Sequence, residues 1–355
     1  MMRPSPARAG KERIDEGRTV VRTRRVMLSD VAAEAGVSAT TASYILNGRS
    51  AQMRIAPETD SRVRAAAARL GYRPNRSARS LRTRRTATVG LISDQIAGEQ
   101  YGGSMLTGAS VAARELDHLV VIGESGGDPD LERLLIEEML ERDVDGVVYA
   151  TRTARTIRLP GGLRGVRSVL LNCDDPDQHA ASVVPDDEGG GRAAAALLFD
   201  AGVADVVVIG EDPNAEATAG PRRMAGIRAG LAERGAEVAD LIACDWSVPE
   251  GFEAARRWLA AGGRSSGIIC MNDRLAMGVY QALAEAGLRV PEDVSVVSFD
   301  GSSLAGWLRP TLTSVELPFA ELGALAVRRL LDPDDRGGRM SVAMSIRHGG
   351  SVRVR

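Results

Sequence analysis

The chain has 355 residues, 44% of them hydrophobic and 26% charged, with three cysteines and a formal net charge of −2. That is enough apolar material for two or three cored domains, while runs such as DVVVIG and AAAALLF fall far short of the roughly 20 apolar residues a membrane helix needs. The near-neutral total hides a split: residues 1–88 hold 19 Lys and Arg against 7 Asp and Glu, a net of +12, which leaves 26 against 40, a net of −14, for the rest. A basic head on an acidic body points to nucleic acid or a membrane surface as the partner of the head; a solvated basic tail would carry the same charge.

In chain order, residues 1–25 are basic and lack the apolar stretch of a signal peptide, so they are expected as a disordered tail of a protein that stays in the cytoplasm. Residues 26–73 read as three short helices. The first, LSDVAAEAG, puts Val31, Ala32 and Ala35 on one face and ends at Gly36. The second opens at Ser38, a good N-cap, and turns Ala42, Ile45 and Leu46 inward. The third begins near Pro57 and carries Val63, Ala66, Ala67 and Leu70 as its stripe. Residues 74–85 are polar and arginine-rich. From residue 86 onward, short apolar runs (ATVGLIS, LVVIGE, DGVVYA, SVLLNC, DVVVIG, DLIAC, GIICMN, VSVVSFD) alternate with amphipathic segments, the pattern of an α/β body with mostly parallel sheets. Two doubly wound halves, roughly 86–187 and 188–320 with crossovers, fit the length. A ligand cleft is expected between them, at the carboxyl ends of the strands.

The second helix is unusual. Its outer face carries Ala39, Thr40, Ser43, Tyr44 and Asn47, poor helix formers where a solvated helix would carry Glu, Lys or Arg. Two short helices joined by Gly36-Val37-Ser38 in a basic segment suggest a helix-turn-helix, with an ordinary helical hairpin as the alternative. Small polar side chains let a helix lie deep in the major groove and bond base edges or phosphates, and this composition tips the choice toward DNA.

At these residues the chain resembles the lactose/galactose repressor (LacI/GalR) family of bacterial transcription regulators. LSDVAAEAGVSATTASYILNG followed by VRAAAARLGYRPNRSARSL is similar to that family's DNA-binding headpiece and hinge. PRRMAGIRAGL, CDWSVPEGFEAA, CMNDRLAMGVYQALAEAGLRVPEDVSVVSFDG and PTLTSVELPFAELGALAVRRLL follow in the family's order, in a body that resembles a periplasmic sugar-binding protein. The resemblance implies that Ser38, Thr41 and Ser43 cap the helix and contact the DNA backbone, and that Ala39, Thr40 and Tyr44 discriminate among operators. It also implies that Asn75, Arg76, Ala78 and Leu81 form a hinge that pushes the leucine into the minor groove. Three features depart from the pattern: Tyr44 stands where many relatives have Arg, the NGRSAQMRIAPET loop is longer, and Met27 replaces a hydroxyl N-cap, leaving Ser29 or Asp30 to serve the first helix; Ser29 and Asn47 are also expected among the DNA-contacting residues. In the body the resemblance implies effector contacts at Asp94, Asn172, Arg223, Trp246, Asn272, Asp300 and Phe319, with Leu317 in place of a polar contact.

Other chemistries find little support. GESGG, Gly123 to Gly127, fits the nucleophile-elbow pattern, but none of the three histidines, His118, His179 and His348, sits in a recognisable triad context. GGGR at 189–192 follows a loop rather than a strand, DDPD at 174–177 lacks calcium-loop spacing, and Cys173, Cys244 and Cys270 read as buried free thiols. No enzyme, cofactor or metal is therefore expected. The expectation is a homodimeric regulator, with repressor as its class, that binds double-stranded operator DNA under control of a small-molecule effector, a sugar first. Two alternatives stay open: a regulator that needs a purine-type co-repressor, and a carbohydrate-binding protein with an incidental basic N-terminus.

Overall fold

A computed structural model of the chain describes residues 26–72, 85–96, 102–211 and 217–354. The chain divides into two compact units, residues 1–78 and 79–355. The expected basic tail and most of the hinge, with Asn75, Arg76, Ala78 and Leu81, lie outside the described residues.

The first unit contains α1 (Leu28–Ala35), α2 (Ala39–Leu46) and α3 (Pro57–Leu70). Gly36 ends α1 at φ +64°, a left-handed turn open to glycine at little cost. The core consists of Val31, Ala32, Ala35, Ala42, Ile45, Val63, Ala66 and Ala67, with Leu46 and Leu70 packed half-buried against it. So few apolar side chains make a marginal core, and α3 reinforces it with polar ties. Arg62 Nε donates to the Ala35 carbonyl at 2.8 Å and Arg64 Nη2 to the Ile45 carbonyl at 3.0 Å. Two arginines of one helix thus serve the carbonyl ends of the other two, where cations also suit the helix dipole.

The second unit holds two six-stranded sheets. In the N-lobe, β1 (Thr88–Ser93), α4 (Gly102–Glu115), β2 (Leu119–Glu124), α5 (Pro129–Glu141), β3 (Val147–Thr156), β4 (Ser168–Asp174) and β5 (Ala181–Pro185) follow one another. The C-lobe continues with α6 (Asp187–Asp200), β6 (Val206–Glu211), α7 (Ala219–Ala232), β7 (Val238–Ala243), α8 (Val248–Ala260), β8 (Gly267–Cys270), α9 (Asp273–Glu285), β9 (Ser295–Asp300), α10 (Ser303–Trp307) and β10 (Thr313–Glu316). Then α11 (Phe319–Leu331) and β11 (Arg339–Val342) return to the first lobe and β12 (Ser345–Arg347) to the second. The orders β11-β5-β4-β3-β1-β2 and β12-β10-β9-β8-β6-β7 are the same winding used twice. All pairs are parallel except β10 with β12.

The eight strands expected from apolar runs are all present, whereas β5, β10, β11 and β12, three to five residues each, carry too short a pattern to be read from sequence. The crossover matters most. Leu322, Ala326, Val327 and Leu330 of α11 are buried with Val89, Leu91 and Val148, so residues after 318 complete the N-lobe core. Arg329 pins the return: its guanidinium meets Asp335 at 2.6 and 2.9 Å and the carbonyl of Ser182 at 2.9 Å. The glycines of GGGR have a packing role. A Cβ on Gly191 would lie 2.1 Å from the Arg223 carbonyl oxygen, and one on Gly226 1.9 Å from that of Glu188, so α6 and α7 touch backbone to backbone.

Candidate DNA-binding face and ligand cleft

On α2 the Ser38 side chain accepts the Thr41 amide at 3.1 Å and its oxygen lies 2.8 Å from the Thr41 hydroxyl. At the other end Asn47 Nδ2 donates to the Ser43 carbonyl at 2.7 Å. Ala39, Thr40 and Asn47 are exposed, Ser43 and Tyr44 half-exposed, while Ala42 and Ile45 are buried beneath them. The face is therefore short, polar and uncharged. At α1 the Asp30 carboxylate accepts the Met27 amide at 2.8 Å, so Asp30 and not the exposed Ser29 serves that end. The positive charge lies mostly outside residues 26–72: these hold five Arg against four acidic residues, whereas residues 1–25 hold eight basic against three acidic and residues 73–88 six against none.

In the second unit a cavity of about 420 Å³ lies between the lobes, where the carboxyl ends of the strands face one another. The size suits a small ligand. Asn172, Arg223, Trp246, Asn272, Asp300 and Phe319 line it, six of the seven expected residues. Asp94 is not in its wall. Its carboxylate accepts the Arg152 amide at 2.8 Å and pairs with Arg155 at 3.0 Å, bracing the end of β3. The wall also includes Asp187, Arg152, Arg274, Met105 and Leu317. Of these, Asp187 and Arg274 were discoverable only as first-turn residues of helices after strands, a position shared by many inert residues.

Arg223 organises the wall. It is 2% exposed, donates from Nε to Asp187 Oδ1 at 2.9 Å and from Nη1 to the Met271 carbonyl at 2.6 Å, and lies 3.8 Å from Asp300. Its guanidinium carbon sits 4.6 Å from the centre of the Phe299 ring and 5.3 Å from that of Trp246. Burial pushes the Asp187 carboxyl up from its ordinary range, and Arg223 opposes that shift. Asp187 Oδ2 and Asn172 Oδ1 are buried acceptors without a hydrogen-bond partner among the described residues. Asn172, at φ +60° on the end of β4, donates from Nδ2 to the carbonyls of Thr151 and Arg152 at 3.0 and 3.3 Å, so its oxygen is held on the other side. Asp300, at φ +103°, is likewise strained, and backbone strain of this kind persists where the surroundings impose it. Asn272 caps α9 by accepting the Leu275 amide at 2.8 Å, and Trp246 Nε1 donates to the Gly210 carbonyl at 2.8 Å. Beneath them Asp273, fully buried, accepts the hydroxyls of Ser298, Ser302 and Ser314 and the Ser302 amide, locking the start of α9 to the end of β9.

The residues of the other motifs make contacts of their own. Ser125 is buried, donates to the Ser93 carbonyl and accepts the Gly127 amide, while His118 pairs with Asp145 at the opposite end of β2, about 20 Å of strand away. Asp174 pairs with Arg222 at 2.7 Å, and Asp175 accepts two amides of its own turn and the His179 ring. All three cysteines are buried free thiols, Cys173 pushed up to about 12 and Cys244 to about 11 by burial. No described helix is long and apolar enough to cross a membrane.

Residues 27–75 match the family of bacterial regulatory proteins typified by lacI, and residues 195–341 match a periplasmic binding protein-like domain. The HTH-type transcriptional regulator RegA of Clostridium saccharobutylicum is 32% identical over 308 residues, 86% of this chain and 91% of that one. The chain belongs to the LacI family. Catabolite control protein A of Priestia megaterium is 30% identical over the same shares. Among solved structures, the Lac repressor dimer bound to operator and the anti-inducer ONPF aligns with a TM-score of 0.73 at 25% identity, covering 93% of this chain and all of that one. The transcriptional regulator CelR in complex with cellobiose aligns at 0.63 and 28% identity, covering 92% and 100%. As a LacI-family regulator the chain carries a DNA-binding headpiece on a two-lobed, periplasmic-binding-protein-like body.

Proposed function

We propose that the protein is a homodimeric repressor whose grip on a near-palindromic operator is set by a small sugar-type molecule in the interlobe cleft. The observation that carries this is the pair of buried acceptors, Asn172 Oδ1 and Asp187 Oδ2, left without partners in a cavity of ligand size. Hydroxyl groups would satisfy them, and the Trp246 and Phe319 side chains offer apolar faces to a ring. On α2, Ala39, Thr40 and Tyr44 would read base edges while Ser38, Thr41 and Ser43 hold the backbone. The hinge residues Asn75, Arg76, Ala78 and Leu81 would dock in the central minor groove, where an apolar wedge bends the duplex. The dimer would cover the edge strand β2 and its flanks, where Leu119, Val121, Ile122 and Leu134 are 40–59% exposed.

Removing residues 1–85 tests the whole reading: the body should keep its ligand and lose operator binding. A body that retains every function points instead to a carbohydrate-binding protein. Screening sugars and purines for a rise in melting temperature separates sugar control from purine co-repression. With roughly 6–10 phosphate contacts, operator affinity should fall about 10³–10⁵-fold between about 50 and 200 mM salt. Because the folded headpiece is nearly neutral, deleting residues 1–25 should flatten that slope.

A further inference from the structure

We propose that the cleft takes an anionic polyol, a sugar bearing a carboxylate or phosphate group, with the acid on Arg274 and hydroxyls on Asn172 and Asp187. This rests on the reading of the cleft as the effector site and names the charge of its ligand.

Of the arginines in or near the wall, Arg155 pairs with Asp94, Arg222 with Asp174 and Arg223 with Asp187, and Arg152 lines the wall beside them. Arg274, in the cavity wall, differs. It makes no ion pair with any described residue, and its Nε, like that of the paired Arg155, is buried with no hydrogen-bond partner among the described residues. Burying part of a guanidinium without an acceptor is costly, and a ligand oxyanion is the group that offsets the cost in fork geometry. The acidic residues of the wall are placed otherwise. Asp187 and Asp300 face Arg223, and Asp245 is exposed. The backbone adds to the preference. Six of the described helices, α4, α6, α7, α8, α9 and α11, begin at the wall with Gly102, Asp187, Ala219, Ser247, Asn272 and Phe319, so their positive ends converge on the cavity, and Arg274 is the second residue of α9. Asn172 Oδ1, and Asp187 Oδ2 while ionised, can only accept hydrogen bonds, and the hydroxyls of a polyol beside the acid would supply the donors.

The experiment is calorimetry and thermal shift of the full chain with three matched probes, glucose, gluconate and glucose 6-phosphate, and the same trio in the galacto series. One acid should bind at least about tenfold more tightly than its neutral parent, and Arg274→Gln should abolish that ratio while Arg274→Lys restores part of it. Response to the aldonate alone assigns a carboxylate, to the phosphate alone a phosphate. A neutral sugar that binds as tightly as its acids, or a ratio unchanged by Arg274→Gln, overturns the anion assignment and leaves the sugar reading standing. Silence to all six probes overturns both.

Discussion

The face of α2 and the wall of the cleft are both recognition surfaces, but they are stabilised in opposite ways. On α2 the bonds are local, Ser38 to Thr41 and Asn47 to Ser43, and the side chains stand on a core of eight small or medium residues. In the cleft most of the contacts are long-range: Arg223 reaches Asp187 across 36 positions and the Met271 carbonyl across 48. A convex reader can be assembled from one helix and its caps. A concave one must bury charge, and buried charge requires partners brought from distant segments.

That contrast orders the expected effects of substitution. The largest should come from Arg223→Ala, which leaves Asp187 without its buried counter-charge and costs about 3–5 kcal/mol of body stability in denaturant titration. The loss should also grow with pH. Without Arg223, burial raises the Asp187 pKa further, the folded state binds more protons than the unfolded state, and stability falls as pH rises; the variant should therefore be weaker at about pH 8 than at about pH 5. A pH-independent loss would show that packing against Trp246 and Phe299, not charge, dominates there.

Ile45→Ala comes next, at about 2–5 kcal/mol, because it opens a hole under α2 in a core with little to spare. Its effect should stay in the first unit: operator binding is lost while ligand-induced stabilisation of the body persists. Loss of both would mean that the two surfaces are not independently stabilised. Ser38→Ala should cost only about 0.5–2 kcal/mol, the loss of one N-cap, and weaken operator binding without changing the preferred sequence. Tyr44→Arg should leave stability nearly untouched and move the preferred operator toward a guanine at one position, read by selection from random DNA. An unchanged consensus would remove Tyr44 from the base-reading set.

The same contrast explains what could be read beforehand. The headpiece helices, their inward residues and the Ser38 cap follow from periodicity over a few positions, and the structure shows them where the pattern puts them. Six cleft residues could be named through the family resemblance, yet Asp94 shows its limit: the residue sits at a strand end as expected, but its oxygens are taken by Arg152 and Arg155, and those partners are 58 and 61 positions away. Asp187 lay in plain view as the second acid of PDDEGGG, with nothing local to say that the first would cap α6 and the second would meet a buried arginine.

The sequence by itself determined the three-helix headpiece, the alternation that makes two parallel sheets, and the uncharged face of α2, because each depends on residues one to four positions apart. Tertiary structure decided which lobe α11 and β11 complete, which of the cleft's charges are spent on one another, and that Arg274 has no ion-pair partner among the described residues. Those outcomes depend on which distant segments the winding brings into contact, which no local pattern encodes.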